Sequence, residues 1–258
     1  MKKILPLAVA VAVALMVSCA KSYNVQGLSS VSALDGSKLY LKTLKDNEVK
    51  NLDSCDVVHG EFHFAGLLDS VRMANLFMDD ESIMPVVLEE GEITIKIDNA
   101  SQKVSGTPLN DSLYKFIDKH NQLSNRMSEL SHRQSQMLLD GMDEEVINQE
   151  LSIEASQIAE EEDQLVTKFI INNFDNVLGP GVFMMITSQY RYPILTPQIE
   201  DIMSKATRKF KEDPYVRQYY KTAQDNEARM NGLEELAQPQ SDSLPASPAP
   251  SLTNVPQP

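Results

Sequence analysis

The residues best equipped for chemistry in this chain are its two cysteines, and they stand in opposite settings. Cys19 closes the run Met16-Val17-Ser18-Cys19, which follows Lys2-Lys3 and the apolar stretch Ile4 to Val17. A basic start, a short apolar run and a cysteine directly after a small residue form a secretory signal ending in a lipobox. The chemistry expected there is transfer of a diacylglyceryl group, with its palmitate-type chains, to the Cys19 thiol. The run is shorter than the roughly 20 apolar residues that a spanning helix needs. Once Cys19 is acylated only Cys55 remains, so no internal disulfide can form and no C-x-x-C pair exists. Cys55 sits between Asp53 and Asp56 with no Lys or Arg beside it. That is the reverse of the electropositive surroundings that make a thiolate reactive. A small packed side chain is the expected role of Cys55, with a redox thiol or a mixed disulfide to a partner as the alternative.

Four weaker constellations remain. His59 and His63 flank Glu61 at strand spacing; a metal would need a third ligand on the same face, and a plain exposed edge is expected. Glu129-x-x-His132 matches one arm of a carboxylate-bridged two-metal site, but the second long helix carries no His to complete it. The run Glu160-Glu161-Glu162-Asp163 reads as a solvated face rather than a cation site. Tyr215, Tyr219 and Tyr220 with Arg217 offer a ligand or partner surface, though helical spacing favours partial packing. No Ser-His-Asp set, phosphate loop or paired carboxylates stand out. The expectation is a non-enzymatic protein with no catalytic residue, cofactor or metal.

The elements that would position these groups divide at Pro85 to Ile117. Ile93, Ile95 and Ile97 alternate with Thr94 and Lys96, as in a half-buried strand. Leu39 with Leu41 and Phe62 with Phe64 alternate likewise, while Met73 to Met78 (apolar but for Asn75) and Val86 to Leu88 read as apolar runs. Turn candidates Asp35-Gly36, Asp46-Asn47, His59-Gly60 and Glu90-Gly91 fall between them. Residues 23–107 therefore read as a small antiparallel sandwich or barrel of about seven strands. Gly106-Thr107-Pro108 then offers an N-cap threonine and a proline at the first helical position.

Residues 108–236 read as helical. Leu113, Phe116, His120, Leu123, Met127, Leu130, Gln134 and Met137 recur at alternating spacings of three and four, a coiled-coil-like seam with polar layers at His120 and Gln134. Asp140-Gly141 ends that helix, and Asp143 opens a second along Ile147, Leu151, Ala155, Ile158, Glu162, Leu165 and Phe169. The short turn makes the two antiparallel neighbours. Leu178-Gly179-Pro180-Gly181 breaks the pattern, and shorter helices are expected over 182–191, 197–210 and 214–236. Residues 237–258 are Pro- and Ser-rich without Lys or Arg, the composition of a disordered tail. The fold class is α+β: a sandwich, a long helical hairpin and shorter helices.

The formal net charge of −14 argues against nucleic acid as a partner. Removing residues 1–18 as signal peptide takes Lys2 and Lys3 with it, leaving an anchor at 19–22 and a more acidic body.

Several of these stretches together resemble a known module. Ser37-Lys38-Leu39-Tyr40-Leu41, Leu52-Asp53-Ser54 and Gly60-Glu61-Phe62-His63-Phe64-Ala65-Gly66 are similar to domain of unknown function 4369 (DUF4369). So are Leu88-Glu89-Glu90-Gly91 with the Ile93/Ile95/Ile97 strand, and Gly106-Thr107-Pro108-Leu109-Asn110-Asp111. The stretches Leu195 to Glu200 and Lys211 to Val216 resemble the last helices before the thioredoxin-like reductase domain that follows this module in related lipoproteins. The resemblance implies a lipoprotein accessory module. Here the proline-rich segment stands where the redox domain would begin, so no oxidoreductase residue carries over.

Two functions follow as expectations. One is a membrane-anchored binding or scaffold module with an envelope protein as partner. The other is an accessory of a separate thioredoxin-like oxidoreductase. Ala20 rather than Asp follows the lipidated cysteine, which by resemblance to sorting signals implies the outer membrane, facing the periplasm.

Overall fold

The computed structural model describes residues 21–45 and 48–232. The signal segment, Cys19, the Asp46-Asn47 turn and the proline-rich segment lie outside them. Eight strands come first: β1 (Ser22–Ser29), β2 (Lys38–Lys45), β3 (Glu48–Asp56), β4 (Glu61–Leu67), β5 (Arg72–Met78), β6 (Glu81–Leu88), β7 (Gly91–Ile97) and β8 (Gln102–Ser105). They form two four-stranded sheets, ordered β4-β1-β7-β8 and β3-β2-β5-β6. Val25, Phe64, Ile93 and Ile95 from the first sheet meet Leu39, Leu41, Leu76 and Val86 from the second, each at most 1 % exposed. This is an α+β fold with a β-sandwich at its start.

The sandwich is not wholly antiparallel. β1 lies between β4 and β7 and runs parallel to β7, with Val25 beside Ile93 and Gly27 beside Ile95. Strands two to six intervene in sequence, so β7 returns along β1 by a crossover, which a parallel pair requires. β1 also has a gap in its apolar alternation at Gly27. A Cβ there would fall 2.1 Å from the Phe62 ring, so Phe62 of β4 fills the space a side chain would take.

Six helices follow: α1 (Pro108–Leu139), α2 (Glu144–Asn172), α3 (Leu178–Thr187), α4 (Pro197–Lys205), α5 (Arg208–Glu212) and α6 (Pro214–Met230). Helix α1 is 32 residues long, about 48 Å at 1.5 Å per residue. It ends in a Schellman motif: Gly141 at φ 78 donates to Leu138 and Met142 donates to Met137. Asp143 caps α2 by accepting from the Glu145 amide. Leu113, Phe116, His120, Leu123 and Leu130 of the expected seam are buried, as are Ile147, Leu151 and Ile158 opposite. Gln134 is instead exposed and bonded to Asn148. The distal residues Leu123, Leu130, Ile147, Leu151 and Ile158 form a small core separate from the main one.

Three expectations near the helix ends need correction. Thr107 occupies the N-cap of α1, but its hydroxyl accepts from Asn110 rather than from the helix backbone. The first amides go to Glu89, whose buried carboxylate accepts from Leu109 and Asn110. Leu178-Gly179-Pro180-Gly181 opens α3 instead of preceding it, because the break lies upstream around Asn173 and Asn176. The helix expected over 197–210 is two helices, since Thr207 caps α5 by accepting from Phe210.

Candidate functional site

In the second sheet, β5 is covered on both faces. Along β5, Ala74 and Leu76 point into the sandwich, so Met73, Asn75 and Phe77 point outward. Helices α3, α5 and the start of α6 lie over that outward face. Between the two layers is a half-open cavity of about 730 Å³, within the range of about 300–1,000 Å³ usual for small-molecule sites. Its floor is Met73, Asn75 and Phe77; its roof is Val177, Pro180, Met184 and Met185 of α3 with its lead-in. Pro214 and Tyr215 close one end, and Val49 and Val71 form an apolar lip, 45 % and 40 % exposed.

Local sequence explains the gap. Gly181 brings α3 close to β5: a Cβ there would fall 2.8 Å from Met73 Cγ. The apolar part of the lining includes Met73, Met184, Met185, Phe77, Phe174 and Val177, and methionine adapts its shape to irregular apolar guests. The rim is charged. Lys42 lies over the Phe77 ring at 4.5 Å and donates to the Asp79 carbonyl at 3.1 Å. Arg72 pairs with Asp69, Lys209 donates to the Asp175 carbonyl at 2.6 Å and Arg208 pairs with Glu212. Asp213 caps α6 by accepting from Tyr215 and Val216, and burial raises its carboxyl above the ordinary range.

The residues singled out in the sequence fall in several places. Tyr215 lines the cavity, its hydroxyl 3.0 Å from Thr187 Oγ1. Tyr219 is buried, bonds both the amide and the carbonyl of Ile194, and has its phenol pushed up to about 12 by burial. Cys55 is half-buried on edge strand β3. Burial raises its thiol pKa most, with Asp53 and Asp56 adding to that and a bond from the His63 backbone opposing it. His59 sits in a turn at φ 54 and His63 on edge strand β4, where its ring meets Asn24. Glu129 and His132 are exposed. Among the described residues no three His, Cys, Asp or Glu side chains gather as a metal site.

The acidic run on α2 is a largely solvated face, with Glu160, Glu161 and Asp163 exposed and Glu162 half-buried. Glu161 pairs with Arg126 at 2.6 Å, and Glu162 accepts from His120 Nε2 at 2.9 Å. His120 Nδ1 is buried without a partner.

The cavity itself was not visible in the sequence. Its residues span 42 to 215, and only the mostly apolar β5, with Met73, Ala74, Leu76, Phe77 and Met78 around Asn75, hinted that this strand is covered on both faces. No helix among the described residues is long and apolar enough to cross a membrane.

Comparison with curated proteins and with solved structures gives no match. The family model "Domain of unknown function (DUF4369)" matches residues 23–113, which cover the sandwich and the first turn of α1. Both segments of the Glu89–Asn110 junction, Leu88 to Gly91 and Gly106 to Asp111, fall inside that match. Residues 23–113, which hold the two sheets and the helix start that seals them, are thus similar to the DUF4369 family over about a third of the chain.

Proposed function

We propose that this chain is a non-enzymatic binding module of the cell envelope, tethered through an acylated Cys19 and facing the periplasm. The observation that carries the reading is the apolar cavity of about 730 Å³ between β5 and α3. A concave, mostly apolar site with a few charged groups at its mouth suits ligand binding. The lipobox around Cys19 supports the tether. Docking on a separate thioredoxin-like enzyme through Cys55 has less behind it, because burial and two aspartates hold that thiol protonated.

Titrating the mature protein with a polarity-sensitive naphthalene sulfonate dye tests the binding site. Saturable fluorescence in the wild type should disappear in Met184→Glu while the melting temperature stays within a few degrees. Equal fluorescence in both would remove the cavity as the site. Labelling with a fatty-acid analogue tests the tether: incorporation should be lost in Cys19→Ala, and equal labelling would overturn it.

A further inference from the structure

The ligand class can be read from where the chain enters the fold. Leu68 donates its amide to the Lys21 carbonyl at 2.8 Å, and Ser22 pairs with Leu67. From Leu68 the chain passes through Asp69 and Ser70 to Val71 and Arg72, both at the cavity mouth. Four residues reach at most about 14 Å when extended. The point where the lipid tether leads into the fold is therefore beside the mouth of the cavity. The same end of the molecule exposes apolar surface, with Leu67 at 80 % and Val71 at 40 %.

The mouth of the cavity carries charges of both signs. Lys42, Arg72, Arg208 and Lys209 border it, with Lys42 3.9 Å from Asp80, Arg72 paired with Asp69, Arg208 paired with Glu212, and Asp213 alongside. Apolar walls of methionine and valine suit a hydrocarbon chain, and a rim bearing both signs of charge suits a polar headgroup held just outside. We infer that the cavity takes an acyl chain of a bilayer phospholipid, with its headgroup at the rim of paired charges, drawn from the membrane to which Cys19 is tethered. This rests on the cavity being the binding site and on the tether proposed above. The bilayer then supplies the ligand at high local concentration, so a short-tethered module needs only modest intrinsic affinity.

Photo-crosslinking in intact cells tests this on the full chain. A benzophenone amino acid replaces Met184 in one variant and Asn75 in a second, with the exposed hairpin residue Ser135 as the control position. Irradiation should add the mass of one phospholipid at position 184 or 75 and none at 135. Thermal melts establish that each variant is folded, and the second position guards against loss of fold in the first. Equal phospholipid adducts at 135 overturn the inference. Adducts at 184 and 75 consisting only of peptide or free fatty acid also overturn it, while leaving the cavity as a binding site. Absence of any adduct at both cavity positions in folded protein overturns both.

Discussion

Asn110, in the first turn of α1, forms two hydrogen bonds to the backbone of Val87: its Oδ1 accepts from the Val87 amide at 2.9 Å, and its Nδ2 donates to the Val87 carbonyl at 2.8 Å. These are the bonds that a further strand would make on the open side of edge strand β6. Pro85, two residues earlier, lacks an amide to offer, and its carbonyl accepts from the Tyr114 hydroxyl at 2.9 Å. Helix α1 thereby seals the sheet edge and is locked to it by three bonds.

Asn110 is fully buried, so Asn110→Ala should leave the Val87 amide and carbonyl without partners. At about 1–3 kcal/mol for an unsatisfied buried group, the expected loss is on the order of 3 kcal/mol. Asn110→Asp keeps the acceptor, removes the donor and buries a charge, so it should be at least as damaging. Urea melts check both, and a change below about 0.5 kcal/mol would mean the edge bonds carry no net stability.

In the hairpin, Leu123→Ala and Leu130→Ala should each cost roughly 2–5 kcal/mol, because both are buried against the facing helix. Ser131→Ala lies on the exposed side of α1 and should change stability by less than about 0.5 kcal/mol. Since the distal cluster is separate from the main core, amide exchange in these Leu variants should rise first over 123–158. Uniform acceleration across the sandwich would refute that separation.

Glu162 supplies a pH dependence with a defined sign. The bond from His120 lowers its carboxyl pKa, with desolvation opposing. A depressed carboxyl stabilises the fold above its unfolded value, about 4.3, and that contribution is lost as pH falls through the lower folded value. Wild type should therefore exceed Glu162→Gln in stability at pH 6, with the gap closing below about pH 4. A gap that persists at pH 3 would point to packing rather than to the ionised pair. His120→Leu removes this bond but also the unpartnered Nδ1, so its net effect on stability at pH 6 should fall within about 1 kcal/mol.

Cys55 should react slowly. Its thiol pKa is raised first by burial and then by Asp53 and Asp56, so little thiolate exists at pH 7. Alkylation by iodoacetamide should lag behind that of an unstructured cysteine peptide, and insulin reduction with dithiothreitol should stay at background. Turnover that disappears in Cys55→Ser would replace the binding reading with a redox one.

The alternating strands were legible because their inward positions carry isoleucine, leucine or phenylalanine without interruption. β1 was not separately legible, since Gly27 takes an inward position whose volume is supplied by Phe62 from another strand. β3 is exposed or half-buried along its whole length and shows no alternation to read. The Asp79-Asp80 turn was hidden between two apolar runs; its first residue adopts φ 54, a conformation that Asp tolerates. The hairpin was clear from period alone. The division of α4 from α5 was not, because Ala206 and Thr207 interrupt the helix without glycine or proline. The cavity requires β5 and α3 to face one another, and spacing along the chain does not encode that distance.

The separate distal core has a geometric corollary. Because it shares only the partly buried Leu165 with the main core, the outer part of the hairpin is packed by its own residues, and its length should be adjustable without disturbing the main core. Deleting one heptad from each arm, taken between Leu123 and Leu130 and from the facing stretch of α2, would shorten the reach by about 10 Å at 1.5 Å per residue. The heptad register would be kept and the mouth of the cavity left as it is. How far the tip extends and what the body holds are thus set by different residues.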